Sequence, residues 1–259
     1  MMFHWQTIGR FVGFLLLMSG LMMSVCIPFS LYNKGEELSG LLISALITLC
    51  VGGGLWYWGK QTEAIIKKRD GFLIVTLGWV AMTLFGALPF YLTGEITSIT
   101  DAIFESVSGF TTTGASILND IEAMPNSLLF WRSMTHWIGG MGIIVLTIAI
   151  LPLLGVGGFQ LFTAESPGPT AEKMHPRITE TAKALWVTYF ILTFAEAALL
   201  WIFGMTPFDA INHAMSTMAT GGFSTKNDSI AYFESPIIQY IIVVFMFIAG
   251  TNFTLSYFA

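Results

Sequence analysis

Long apolar runs dominate the chain, and short polar segments separate them. Six runs are long enough to cross a bilayer core of about 30 Å, which takes roughly 20 residues of α-helix. They lie at residues 11–31, 38–59, 71–94, 133–155, 184–206 and 236–259, and the first, second, third and last hold no charged residue. After the third and the fifth runs comes a shorter helical stretch that begins SITDAIF at Ser98 and TPFDAIN at Thr206. Each opens on a start signal: Ser98 or Thr206 as the cap, Asp101 or Asp209 three residues on, and Pro207 at the first helical position of the second. Each is expected to run only to Phe110 or Met218, about 18 Å at the helical rise, so it enters the membrane and stops.

The two stretches are copies of one another, 108 residues apart. Across Asp101 to Ile117 they agree at seven of seventeen positions, where background composition would give about one. Each half-helix leads into a short Thr/Gly segment, Thr112-Thr113-Gly114-Ala115 in the first copy and Thr220-Gly221-Gly222-Phe223 in the second. Taken singly these are ordinary turns. Two copies, each after a capped half-helix and between long apolar segments, read as pore loops. A cation filter needs consecutive backbone carbonyls aimed at one axis, which demands dihedrals that Gly adopts cheaply, and a Thr hydroxyl adds one more oxygen. The C-terminal end of the half-helix then places negative partial charge where the cation loses its water.

The pattern predicts an all-α polytopic membrane protein. Residues 1–69 form an N-terminal two-helix hairpin, 70–152 a first helix–pore loop–helix repeat, 153–182 a connector, and 183–259 a second repeat that ends within or just after its last helix. Composition agrees: 54% of residues are hydrophobic, only 10% are charged and mean hydropathy is +0.72. Arg10, Lys60, Lys67, Lys68, Arg69, Lys173, Arg177 and Lys183 fall on one side of the predicted membrane, Lys34 and Lys226 on the other, and Arg132 sits near a span end. By the positive-inside rule the N-terminus and the connector are cytoplasmic, and both pore loops open outward. The outer loops are acidic, which fits either a mouth that concentrates cations or a plain solvated rim, since salt screens long-range steering. A net charge of −5 gives no reason to expect a nucleic-acid partner.

Other residues carry less chemistry. Cys26 and Cys50 are expected at different membrane depths, so no bridge joins them. Gly52-Gly53-Gly54 suits close helix approach. A lone charge at Glu105, inside the first half-helix, would be costly, and Arg132 on the returning helix, one turn before His136, is its expected partner. Glu196, inside the fifth span, is assigned a structural role. His175 has no Cys/His company for a metal site, and no Ser/His/Asp set or carboxylate pair supports an enzyme.

The chain resembles the Trk-type potassium uptake proteins, in the superfamily that includes Ktr and plant HKT transporters. The resemblance runs its whole length and rests on SVSGFTTTGAS (106–116), WRSMTHWIGGMGIIVLTIAILPLLGVGGFQLF (131–162), ESPGPTAEKMHPRITETAKALW (165–186), ATGGFST (219–225) and MFIAGTNFTLSY (246–257). The N-terminal hairpin favours the Trk type over the Ktr type. The resemblance implies potassium uptake across a bacterial inner membrane, with potassium as the transported ligand and no covalently bound cofactor. It implies that Thr112, Thr113, Thr220 and Gly221 contribute coordinating oxygens, that Gly114 and Gly222 are the filter glycines, and that Gly114 points to potassium over sodium. It also implies a membrane-embedded homodimer and a cytosolic nucleotide-binding regulatory subunit of the TrkA type. Four such units surround one pore in that family, so the chain is expected to be truncated from four. The missing third and fourth repeats, or a second copy, would complete the ring. A conducting subunit and a non-conducting fragment or assembly partner of full-length subunits both remain open at this point.

Overall fold

The computed structural model of the chain describes residues 4–33, 35–60, 68–142 and 178–251, and every regular element among them is helical. Several expectations fall outside these residues: the second half of the fourth span with Pro152 and Gly155, the connector as far as residue 177 with His175, the basic residues Lys67, Lys173 and Arg177, and the end of the last span from residue 252.

Helices α1 (Trp5–Asn33) and α2 (Leu38–Trp58) form the hairpin and pack along their length. Close packing is possible because Gly13 and Gly52 meet at the crossing. A Cβ on Gly13 would lie 2.6 Å from the Gly52 carbonyl oxygen, and one on Gly52 would lie 2.8 Å from the Leu17 amide nitrogen. Gly54, in the same glycine run, has nothing within 4 Å of such an atom. Gly52→Leu is therefore expected to destabilise the protein by about 1–3 kcal/mol through overpacking, while Gly54→Leu leaves it near wild type. Thermal unfolding in detergent distinguishes the two, and equal effects would contradict this packing. Cys26 and Cys50 are both free thiols.

The third span is one membrane-length stretch, Arg69–Leu92, with a local interruption at Ala87, which itself keeps helical dihedrals and donates to the Thr83 carbonyl at 3.1 Å. Helix α3 (Lys68–Gly86) ends and α4 (Leu88–Leu92) restarts with Pro89 in its first turn, since proline has no amide hydrogen to continue the ladder. Two carbonyls near the interruption gain side-chain donors. The Thr83 carbonyl accepts from Ser106 Oγ at 2.7 Å, and the Gly86 carbonyl accepts from the Trp131 indole at 2.9 Å. The interruption thus becomes a seat for the half-helix α5 (Ile99–Phe110) and for α6 (Asn126–Gly140). The second repeat follows the same order: a long helix α7 (Ile178–Ile202), a half-helix α8 (Pro207–Met218) and a returning helix α9 (Pro236–Gly250).

Helix α6 is the hub of the molecule. Every residue from Ser127 to Ile138 is buried, and the helix packs on α1, α5 and α8. Most of its buried polar groups have partners: Ser133 donates to the Leu129 carbonyl, Thr135 to the Arg132 carbonyl, and the Trp137 indole to Thr193 Oγ1 at 3.0 Å, while His136 Nε2 has none among the described residues. Because α6 belongs to the first repeat and α8 to the second, their contact joins the two.

Candidate functional site

Both half-helices start as the sequence predicts. Ser98 Oγ accepts from the Asp101 amide at 3.3 Å, and Thr206 Oγ1 accepts from the Asp209 amide at 3.1 Å. They end at Phe110 and Met218, in one and the same way. The Thr113 amide bonds back to the Ser108 carbonyl and the Thr112 amide to the Gly109 carbonyl; the Gly221 amide bonds to Ser216 and the Thr220 amide to Thr217. This pair of bonds is the Schellman cap, whose signature is a left-handed residue just past the helix end. That residue is Thr112, at φ 54°, and Thr220, at φ 55°. Glycine is the usual occupant, and a β-branched residue there is strained by about 1–2 kcal/mol. Strain of this kind clusters at functional sites in proteins generally, and here it is kept in both copies.

Two residues on, Gly114 and Gly222 are left-handed again, at φ 74° and 91°, while Thr113 and Gly221 between them are not. Alternation of hand along a short segment turns successive peptide groups so that like polar groups face the same way. The two segments also meet: a Cβ on Gly114 would run into the Gly221 carbonyl oxygen, and a Cβ on Gly221 would run into the His136 ring. Of the six candidate residues, Gly114 and Gly221 are therefore brought into direct apposition. Thr113, Thr220 and Gly222 are exposed, and Thr112 is half-buried.

Behind the segments lies a buried polar scaffold. Glu105 sits at zero exposure in α5, and its carboxylate accepts from Ser116 Oγ (3.0 and 3.2 Å), from the Ile117 amide (3.1 Å) and from Arg132 Nε (2.6 Å). The pairing expected from sequence is present. In the second repeat the residue at the same offset is His213, whose Nε2 lies 3.0 Å from Ser224 Oγ. Asp209 adds a bond from Thr225 Oγ1 at 2.6 Å. Thus a polar side chain one turn above the end of each half-helix braces the serine that follows each Thr/Gly segment, by an ion-paired carboxylate in one repeat and an imidazole in the other. Sequence reasoning passed over His213 because it differs from Glu105; the equal offset to Ser116 and Ser224 was the signal that could have found it.

The loops that follow the two Thr/Gly segments are also tied across the repeats. Asn227 donates to Asp120 Oδ1 at 2.9 Å, its amide donates to Glu122 at 3.2 Å, and its side-chain oxygen accepts from the Ile121 amide at 2.6 Å. The hydrogen bond from Asn227 is the main reason the Asp120 carboxyl is held below the usual carboxylate range.

Comparison with known proteins places this geometry. Residues 39–259 match the TrkH family, described as a cation transport protein. The chain is 47% identical over 257 residues to the Trk system potassium uptake protein TrkH of Escherichia coli strain K12, covering 98% of this chain and 53% of that protein. It is 38% identical over 256 residues to the Trk system potassium uptake protein TrkG of the same strain, again over 98% of this chain and 53% of the relative. The crystal structure of the potassium transporter TrkH from Vibrio parahaemolyticus superimposes with a TM-score of 0.82 at 42% identity, over 98% of this chain and 51% of that one. The chain spans about half the length of the curated relatives it matches. The fold, the duplicated half-helices and these matches together show that this chain belongs to the TrkH family of cation transport proteins.

Proposed function

We propose that this chain is part of a Trk-type potassium uptake protein and supplies two walls of its ion filter. The observation that carries the reading is the matched pair of left-handed residues, Thr112 with Gly114 and Thr220 with Gly222, at the C-terminal ends of two half-helices that stop inside the molecule. Backbone oxygens of Thr112, Thr113, Thr220 and Gly221 replace the water shell of a potassium ion, and the glycines at 114 and 222 permit the turn of the chain between them. The negative ends of both half-helix dipoles add to the attraction where the ion is least hydrated. Selectivity comes from coordination, with no covalent step.

Two walls enclose part of an ion, so further walls belong to the working pore: the third and fourth repeats of a longer chain, or a second copy. The apolar face that α9 exposes at Tyr240, Val243, Val244 and Phe247, and that α5 exposes at Phe104 and Val107, supports this completion. The protein sits as a multi-pass protein in a bacterial inner membrane, a reading its apolar helices and its likeness to bacterial Trk proteins support, and the basic bias of Arg10, Lys60 and Lys183 supports a cytoplasmic N-terminus. The assembled protein is a homodimer that works with a cytosolic nucleotide-binding subunit of the TrkA type.

The test is rubidium influx in cells lacking their own potassium uptake, expressing a full-length subunit that carries this chain. Influx that saturates, is competed by potassium and is little affected by sodium is expected. Absence of influx from a subunit present in the membrane would contradict the proposal.

A further inference from the structure

Arg132 makes three contacts from one side chain, and they reach both repeats. Its Nε donates to Glu105 at 2.6 Å in the first repeat. One terminal nitrogen donates to the Ser224 carbonyl at 3.1 Å, in the second. The guanidinium carbon lies 3.8 Å from the centre of the Phe223 ring, the residue that follows Gly222. One turn further along α6, His136 stacks on the same ring at 3.9 Å and 9°, and its Nδ1 is 3.0 Å from Ser216 Oγ at the end of α8. The second filter segment is therefore held from outside its own repeat, by a face of the first repeat's returning helix.

We propose that Arg132 is a positioning residue for ion selectivity: it fixes the second filter strand through the Ser224 carbonyl and the Phe223 ring, and the first through Glu105. The inference rests on the filter reading above and goes beyond it by naming what sets the spacing of the two strands. The chemistry of the side chain supports it. A guanidinium is a rigid plane with donors on its edge and a face that stacks, so it can meet a carboxylate, a carbonyl and an aromatic ring at once. An ammonium is a single point charge on a flexible stem and can neutralise Glu105 without holding the other two. A shift of a few tenths of an ångström at Ser224 moves the carbonyl of Gly221, and Gly221 is the group against which Gly114 packs.

Arg132→Lys separates this role from mere folding, because it keeps the charge that Glu105 requires. In a full-length subunit carrying this chain, Arg132→Lys is expected to raise the apparent KM for rubidium and lower its preference over sodium by about ten-fold, the size of one lost charge-assisted hydrogen bond. Maximal influx per molecule in the membrane should change less. Phe223→Leu should shift selectivity in the same direction, and the two changes together should do less than the product of their separate effects. If Arg132→Lys does not accumulate, Glu105→Gln with Arg132→Gln, which leaves no buried charge, carries the same readout and the same expected shift. Gly114→Ser, measured alongside, separates the two ideas. Lost selectivity in Gly114→Ser with wild-type KM and preference in Arg132→Lys overturns the positioning role alone; unchanged selectivity in both overturns the filter reading and this inference with it.

Discussion

Gly114→Ser, in a full-length subunit carrying this chain, is expected to lower the preference for potassium over sodium by about ten-fold or more. Two costs combine. Gly114 stands at φ 74°, where any Cβ is strained by about 1–2 kcal/mol, and 1.4 kcal/mol is a factor of ten in an equilibrium. The added carbon also points at the Gly221 carbonyl oxygen, so strain cannot be relieved without moving the second strand. Gly222→Ser is the matched control. It stands at φ 91° but has nothing within 4 Å of a built Cβ, so only the first cost applies and the loss should be smaller. Permeability ratios and growth on limiting potassium check both, and an order reversed between the two glycines would contradict the apposition of Gly114 with Gly221.

The second large effect concerns stability. Glu105 and Arg132 are both almost fully buried, and their hydrogen bond is 2.6 Å long. Removing one partner strands the other away from water, which in buried pairs costs about 3–5 kcal/mol. Glu105→Ala is expected to be the worse single change, because the guanidinium keeps only the Ser224 carbonyl and the Phe223 ring. In Arg132→Ala the carboxylate still accepts from Ser116 and from the Ile117 amide. The double substitution removes both charges together, so it should cost less than the sum of the two. Thermal unfolding of the purified variants gives the cycle, and additivity within about 0.5 kcal/mol would mean that the two groups are not energetic partners.

Much of this was legible in the sequence, for identifiable reasons. The half-helices were found because their caps are local: Ser98 with Asp101 and Thr206 with Asp209 lie three residues apart. The paired Thr/Gly segments stand out because they are repeated. The Glu105 to Arg132 bond could be anticipated because a buried charge demands a partner and few were available. What the sequence hid was of two kinds. The left-handed threonines were not foreseen, since residue type argues against that conformation and only the cap geometry imposes it. The contacts of Arg132 with Ser224 and of His136 with Ser216 join residues 92 and 80 apart, in different repeats. No local pattern encodes them; they follow from how α6 packs on α8. The single apolar run of the third span holds as one membrane-length stretch, and the interruption at Ala87, next to Pro89, is local.

The scaffold also explains how unlike residues can serve one purpose. Glu105 and His213 occupy equivalent places and brace equivalent serines, yet only the first carries a buried ion pair with the helix beside it. His213 instead bonds through Nδ1 to the Asp209 carbonyl at 2.8 Å, within its own helix. The first strand is thus held by a link that also reaches its neighbour. Disturbance at Arg132 should be felt in both strands, whereas disturbance at His213 should stay in one.

The most direct measurement is the position of the ion itself. Crystals of a full-length subunit carrying this chain, grown with rubidium or thallium in place of potassium, reveal bound ions by anomalous scattering. Peaks on one axis, flanked by the carbonyl oxygens of Thr112, Thr113, Thr220 and Gly221, are the predicted result. Ions bound elsewhere, with none beside these carbonyls in a subunit that still transports, would contradict the account.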